Sequence, residues 1–263
     1  MNKTKNNKIS RSIEVLKNDG IIQFFKKTFH FLRNSKVVNR AIFLCKRKFI
    51  VEKIKNFVSS SDGSYFDFIT NNFSGIFAPM QIRDEFLYLL NIFNEKKPKV
   101  VMEIGTANGG TLFCFSKLAP KDATIISIDL PEGEFGGGYS KDKIPFYKAF
   151  AGEKQTLHLL RENSHAPETL DSVKKILKNQ LVDFLFIDGD HSYEGVKKDF
   201  EIYSQIVRTN GGIVAFHDVA PKGLPEFVGG VPAFWKEVKN KYAHEEYVKD
   251  PNQTGFGIGI LFL

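Results

Sequence analysis

After Pro98 the chain turns from helical periodicity to short apolar runs separated by helical stretches, and this alternation limits the fold more than any other feature of the sequence. Five runs read as buried strands, at 100–104, 124–128, 156–160, 182–187 and 212–216. Helical patterns fill the intervals at 110–118, 144–151, 166–179 and 193–207. A last helix is expected at 235–242, and the apolar tail GFGIGILFL at 255–263 reads as a final strand. Strands this apolar need cover on both faces, which the intervening helices supply, so the spacing predicts an α/β fold built on a doubly wound, largely parallel sheet. Ahead of it, QIRDEFLYLLNIF at 81–93 has the spacing of an amphipathic helix.

Charge is informative only when it is divided. The 263 residues hold 37 Lys+Arg and 30 Asp+Glu, a net +7. Residues 1–60 contain fifteen Lys/Arg and three acids, a net +12, so the other 203 residues, with 22 basic and 27 acidic, carry −5. Two apolar stripes run through the basic end at helical spacing, Ile21, Phe25, Phe29 and Leu32, then Val38, Ala41, Ile42, Cys45 and Phe49. The polar stretch SSSDGS at 59–64 marks a boundary, giving a basic helical extension over 1–62 and a main domain over 63–263. The extension suits either an anionic membrane surface or packing on the body or a second subunit. No nucleic-acid module or stacking platform is legible, so no nucleic-acid partner is expected. The two cysteines, Cys45 and Cys114, lack partner spacing, which points to reduced thiols and away from a zinc site. No apolar run reaches the eighteen or so residues of a membrane span. The expected location is the cytoplasm, with the inner membrane face as the one peripheral option.

Three segments carry chemistry. In VVMEIGTANGGT at 100–111 a strand ends on a glycine-rich turn that opens a helix, where backbone N–H groups are free to meet a ligand. Glycines at 105, 109 and 110 do not have the G-x-G-x-x-G spacing of a dinucleotide site, which argues against a nicotinamide dehydrogenase. Glu103, ahead of the turn, suits a cationic ligand such as the aminocarboxypropyl arm of S-adenosylmethionine; a tight turn without a ligand is the alternative. About twenty residues on, TIISIDL ends a strand at Asp129, placed either to accept from ribose hydroxyls or to cap a helix. After the third strand, Asn163 and Ser164 either reach an adenine or cap their own loop. Finally VDFLFIDGDHSYE at 182–194 and GGIVAFHDV at 211–219 are strands that run out on Asp188, Asp190 and His191, and on His217 and Asp218. If the two strands are parallel neighbours, about 4.8 Å apart, Asp188, His217 and Asp218 meet around one point. Two carboxylates and an imidazole there suit a divalent metal, although some of them could instead cap helices.

The segments EIGTANGG, SIDLP, FIDGDHSYEGVKKDFE, GGIVAFHDV and GVPAFWKEV together resemble the class I S-adenosylmethionine-dependent methyltransferases over about 79–263. Within them the chain is similar to the branch of macrocin-type sugar O-methyltransferases and cephalosporin-hydroxylase-like proteins. The resemblance implies a Rossmann-like seven-stranded sheet whose last strand, at 255–263, runs antiparallel. It implies a cofactor site formed by Glu103, Gly105, Thr106, Asn108, Gly109, Gly110, Asp129, Asn163, Ser164 and Asp188. It also implies magnesium on Asp188 and Asp218, and His191, in D-x-x-H, as a general base working beside Asp188. His217 departs from relatives that carry an acid there, which leaves the metal's identity and full ligand set open. The expected reaction is methyl transfer to a hydroxyl of a sugar or glycan-containing acceptor. The rivals are a metal-dependent enzyme for catechol-like acceptors and a non-catalytic membrane-surface or glycan-binding protein on the same fold. EGEFGGGYSKDK at 132–143 reads either as a lid over the site or as a plain surface loop.

Overall fold

A computed structural model describes residues 46–59, 61–131 and 137–263. Two compact units are distinguished, Met1–Lys53 and Ile54–Leu263. Of the first only 46–53 are described, all but Lys46 within helix α1 (Arg47–Asn56), so the stripe at 21–32 and most of that at 38–49 lie outside the described residues.

The second unit runs α2 (Asp62–Asn71), α3 (Arg83–Lys96), β1 (Val100–Ile104), α4 (Gly110–Leu118), β2 (Thr124–Asp129), α5 (Ile144–Tyr147), β3 (Thr156–Arg161), α6 (Pro167–Leu177), β4 (Phe184–Ile187), α7 (Tyr193–Tyr203), β5 (Ile213–His217), α8 (Pro225–Val228), α9 (Val231–Val238), β6 (Ala243–Tyr247) and β7 (Ile258–Phe262). The strands form one seven-stranded sheet in the order β3-β2-β1-β4-β5-β7-β6, the first five parallel and β7 antiparallel to both β5 and β6. This is the Rossmann-like arrangement expected, with the last strand antiparallel.

Period-two alternation puts Phe184 and Phe186 on one face of β4 and Leu185 and Ile187 on the other. The phenylalanine face is covered by α3 and α4. Phe93 and Phe115 meet Phe184 at centroid distances of 4.8 and 5.2 Å, and Phe86 meets Phe186 at 6.4 Å. The opposite face packs against Val173 and Leu177 of α6, Val196 and Phe200 of α7, and Phe234 and Trp235 of α9 in a single apolar cluster. Both faces of β1 are buried for the same reason, and so are all five of its residues.

Three elements differ from the sequence reading. Strand β6, AHEEY, is mostly exposed and lacks an apolar run; it exists because it pairs along β7, Ala243 opposite Phe262. The last helix starts at Val231, with Pro232 in its first turn, and gives way to a 3-10 turn at Lys239–Lys241. The helix expected at 144–151 is only the single turn α5. Among the described residues no helix is long and apolar enough to cross a membrane.

Candidate active site

The sheet order reverses between β1 and β4, because β1 connects to β2 on one side and has β4 on its other, and this opens a crevice beyond the strand ends. A cleft of about 1180 Å³ lies there, lined by Gly105 and Ala107 after β1, Asp129 at the end of β2, Asn163 and Ser164 after β3, Asp188 and His191 after β4, and His217 and Asp218 at the end of β5. The register makes this convergence unavoidable. Ile104 lies opposite Ile187, and Ile187 opposite Phe216, so the next residue on each strand emerges beside its neighbour.

The glycine turn is dictated by the protein's own packing. Gly105 has φ +93°, and a Cβ there would fall 1.9 Å from the Asp188 carbonyl oxygen. At Gly109 a Cβ would strike the Tyr147 ring at 2.5 Å, and at Gly110 the Phe77 carbonyl and Pro79 nitrogen, at 2.5 and 2.4 Å. Of the turn residues expected to bind cofactor, Gly105 lines the cleft, whereas Thr106, Asn108, Gly109 and Gly110 do not. Thr106 Oγ1 pairs with Ser127, and Asn108 accepts from Lys143 Nζ at 3.1 Å.

Glu103 lies deeper than the turn it precedes. It is fully buried beneath the turn, accepts from Thr111 and, at 3.3 Å, from Ser127 Oγ, and does not reach the cleft. Burial pushes its carboxyl up to about 8 against those two hydrogen bonds. It ties β1, β2 and α4 together instead.

Asp129 does face the cleft. Its Oδ2 accepts from the Thr106 and Ala107 amides at 2.9 and 2.7 Å, and Oδ1 from Leu130 N at 2.7 Å. Burial still raises its pKa above the ordinary value, against those three donors. Asn163 lines the cleft while its Oδ1 accepts from His165 N at 2.9 Å, and the Ser164 carbonyl accepts from Tyr203 Oη at 2.7 Å, so both residues also shape their loop.

The strand ends of β4 and β5 gather the acids. Asp188, His217 and Asp218 present ligand atoms within 4.8 Å of one another. His217 Nδ1 lies 3.1 Å from Asp188 Oδ1 and 3.3 Å from Asp218 Oδ2. His191 sits at the rim, its side chain 41% exposed, with Nε2 3.5 Å from Asp188 Oδ1 and Nδ1 3.3 Å from Asp218 Oδ2. Asp190, by contrast, accepts from Ser192 N at 2.8 Å and forms the turn into α7, whose N-cap is Ser192.

Burial alone would raise the Asp188 carboxyl, but His217 and His191 outweigh it and hold the group down at about 2. Burial would likewise lower the His217 imidazole, and Asp188 with Asp218 lifts it to about 10. The hydrogen bond to Asp188 also raises His191. The two larger shifts set a pH window. Asp188 contributes stability above its ordinary 3.8 and loses it as pH falls towards about 2. His217 contributes fully below its ordinary 6.5 and loses that share as pH rises towards about 10. In EDTA, the melting-temperature difference between wild type and His217→Gln is therefore expected to be greatest between about pH 4 and 6.5 and to shrink at pH 9. A difference independent of pH would show that the pair is not ionised as described.

Several residues around the cleft had no signal in the motifs. Gln81, just before α3, donates from Nε2 to Asp188 Oδ2 at 2.7 Å. Met80, Thr254 and Phe256 line the cleft, and Phe256 N donates to Asp218 Oδ1 at 3.1 Å. His165, on the rim, forms an ion pair at 3.2 Å with the fully buried Asp199. Of the glycine-rich segment after β2, 132–136 lie outside the described residues. Gly137 and Gly138 line the cleft, and the Arg161 guanidinium donates to the Tyr139 carbonyl at 3.0 and 3.1 Å. Cys114 is buried and unpaired by disulfide.

Residues 102–219 match the family model of a methyltransferase domain. An uncharacterized protein of Sinorhizobium fredii is 29% identical over 168 residues, 62% of this chain and 17% of its own length. A caffeoyl-CoA O-methyltransferase of Populus kitakamiensis is 27% identical over 151 residues, 57% of this chain and 58% of its own. The chain thus spans only part of both relatives. Among solved structures, the O-methyltransferase TomG of Streptomyces achromogenes, in complex with SAM, superposes with a TM-score of 0.52 at 15% identity, covering 82% of this chain and 96% of that one. The O-methyltransferase of Bacillus cereus, in complex with SAH, gives 0.50 at 14%, covering 81% and 97%. The fold is that of these O-methyltransferases.

Proposed function

We propose that this chain, with a methyltransferase domain over 102–219 on an O-methyltransferase fold, is an S-adenosylmethionine-dependent and divalent-cation-assisted O-methyltransferase acting on a hydroxyl of a sugar or glycan-containing acceptor. The observation that carries the reading is the convergence of Asp188, His191, His217 and Asp218 beside the Asp129 turn in one cleft. The cleft is large enough for a nucleoside with its side arm. The two Asp129 oxygens have about four acceptor sites and use three on backbone amides, leaving room for a ribose hydroxyl. The donor set fits a cation as well: an ion that displaced the His217 proton would meet a neutral imidazole and two carboxylates, a charge of two that matches a divalent ion. Carboxylates favour Mg²⁺ or Mn²⁺, and the imidazole shifts preference towards Mn²⁺ or a later transition metal.

S-adenosylmethionine supplies a methyl on a sulfonium; as the C–O bond forms, the S–C pair returns to sulfur and leaves a neutral thioether. Asp188, His217 and Asp218 would hold a divalent ion, which would supply Lewis acidity towards an acceptor hydroxyl. His191 takes the hydroxyl proton, and the carboxylates at 3.5 and 3.3 Å stabilise the imidazolium that results. Gln81 and Phe256 N hold those carboxylates in place.

A second reading, a flat acceptor with vicinal hydroxyls, is favoured by Met80 and Phe256, which line the cleft while 65% and 40% exposed. The name of the Populus relative points the same way. One assay separates the two: transfer of labelled methyl to nucleotide sugars, lipid-linked glycans and catechols, each with Mg²⁺, with Mn²⁺ and with EDTA. We expect transfer to one class, lost in EDTA. S-adenosylhomocysteine is expected to raise the melting temperature of wild type and not of Asp129→Ala. No shift at millimolar ligand would remove the methyltransferase reading, and transfer indifferent to EDTA would remove the metal.

A further inference from the structure

We infer that the start of α3, which lies outside the matched methyltransferase domain, is a clamp that sets both carboxylates of the acid cluster, with Gln81 and Glu85 as its positioning residues. Gln81 is 8% exposed and donates from Nε2 to Asp188 Oδ2 at 2.7 Å, which turns Oδ1 towards His217 Nδ1. Its own Oε1 is buried without a hydrogen-bond partner, so the side chain is held there for the bond it makes to Asp188. One helical turn on, Glu85 is fully buried on the same stripe as Phe86, Leu89, Leu90 and Phe93.

A carboxylate on an apolar stripe needs several donors, and Glu85 takes three from a single loop. Oε1 accepts from Lys249 N at 2.9 Å and Gln253 Nε2 at 2.7 Å, and Oε2 from Gly257 N at 2.8 Å. These donors bracket Phe256, whose amide donates to Asp218 Oδ1 at 3.1 Å and whose ring lies 5.9 Å from that of His217. Phe256 and Gly257 both have left-handed backbones, φ +65° and +90°, a conformation that the Glu85 bonds help to hold. One chain of hydrogen bonds therefore runs from Gln81 to Asp188, and a second from Glu85 through the 249–257 loop to Asp218. Groups that orient the ligands of a metal site typically change its affinity 10–100-fold when removed.

The inference rests on the metal reading above, and its test keeps the two apart. Full-length wild type, Gln81→Met and Glu85→Gln are titrated with Mn²⁺ as the probe, and each is melted with and without S-adenosylhomocysteine. Wild type is expected to bind Mn²⁺; Gln81→Met should bind it about 10–100-fold more weakly and Glu85→Gln about tenfold more weakly. All should keep the shift with S-adenosylhomocysteine, which mere loss of structure would erase. Should Glu85→Gln fail to fold, Gln253→Met removes one of its donors from a half-buried position and tests the same arm. Equal Mn²⁺ affinity in wild type and variants would overturn the clamp and leave the metal reading standing. Weaker Mn²⁺ binding accompanied by loss of the S-adenosylhomocysteine shift would also overturn it, since the damage would then be general. A wild type that binds no Mn²⁺ would overturn the metal reading and the clamp with it.

Discussion

Gly105→Ala is expected to lower the melting temperature by about 10 °C or to prevent folding. Two costs combine. At φ +93° an L side chain is strained by about 1–2 kcal/mol. The new Cβ also falls 1.9 Å from the Asp188 carbonyl oxygen and 2.5 Å from its carbon, so backbone must move. It has little freedom to do so, because Asp188 N donates to Ile104 O at 2.8 Å and Gly105 N to Ile128 O at 2.9 Å. The ends of β1, β2 and β4 are locked around this one residue. A total of about 3–5 kcal/mol follows, and for a chain of this size each kcal/mol is worth about 2–4 °C. Gly75 is the control: its φ is +76°, yet nothing lies within 4 Å of a Cβ, so Gly75→Ala bears only the strain and should lose about 3 °C. Melts of both variants followed by circular dichroism decide the point. Equal losses would mean that the approach of Gly105 to Asp188 is not made.

The sheet was legible because its strands are buried on both faces and therefore written in continuous apolar residues. Strand β6 was not, because an edge strand exposed to water can read AHEEY and still pair. The strand-end acids were legible for a related reason: a polar residue directly after a buried strand has few places to go, and parallel neighbours deliver Asp188, His217 and Asp218 to one point. Sequence shows Glu103 as an acid beside a glycine turn but not which side of the turn it faces; it is buried in the protein. The glycines are ambiguous in the same way, since room for a ligand and room for Tyr147 or the 77–79 backbone leave the same mark. Gln81 and Phe256 act through contacts 107 and 38 residues distant, which no local spacing encodes. Glu85 did leave a trace, an acid in register with Leu89 and Phe93 on the buried stripe of α3.

Asp188→Asn is expected to lower kcat by about 10³-fold while leaving the melting-temperature shift with S-adenosylhomocysteine in place. The substitution keeps the shape, and the amide oxygen can still accept from Gln81. What it removes is one negative charge at the point where His191, His217 and the proposed cation converge. His217 would lose the nearer of its two carboxylates, at 3.1 Å, and the imidazole would then be easier to deprotonate. His191 would lose one of the two groups that stabilise its protonated form, just when it must accept a proton from the acceptor. The donor set would drop from two charges to one, which weakens cation binding as well. His191→Ala removes the base alone and is expected to cost about 10²–10⁴-fold, within the range for general-base catalysis. Because the two residues act on the same proton, their losses should not multiply: the double variant is expected to fall close to the worse single one. Single-turnover transfer of labelled methyl, measured at saturating donor, reads the chemical step directly. If Asp188→Asn stays within tenfold of wild type, the acid cluster is not where the methyl is transferred, and the cleft's chemistry must be sought among its other polar residues, His165 first.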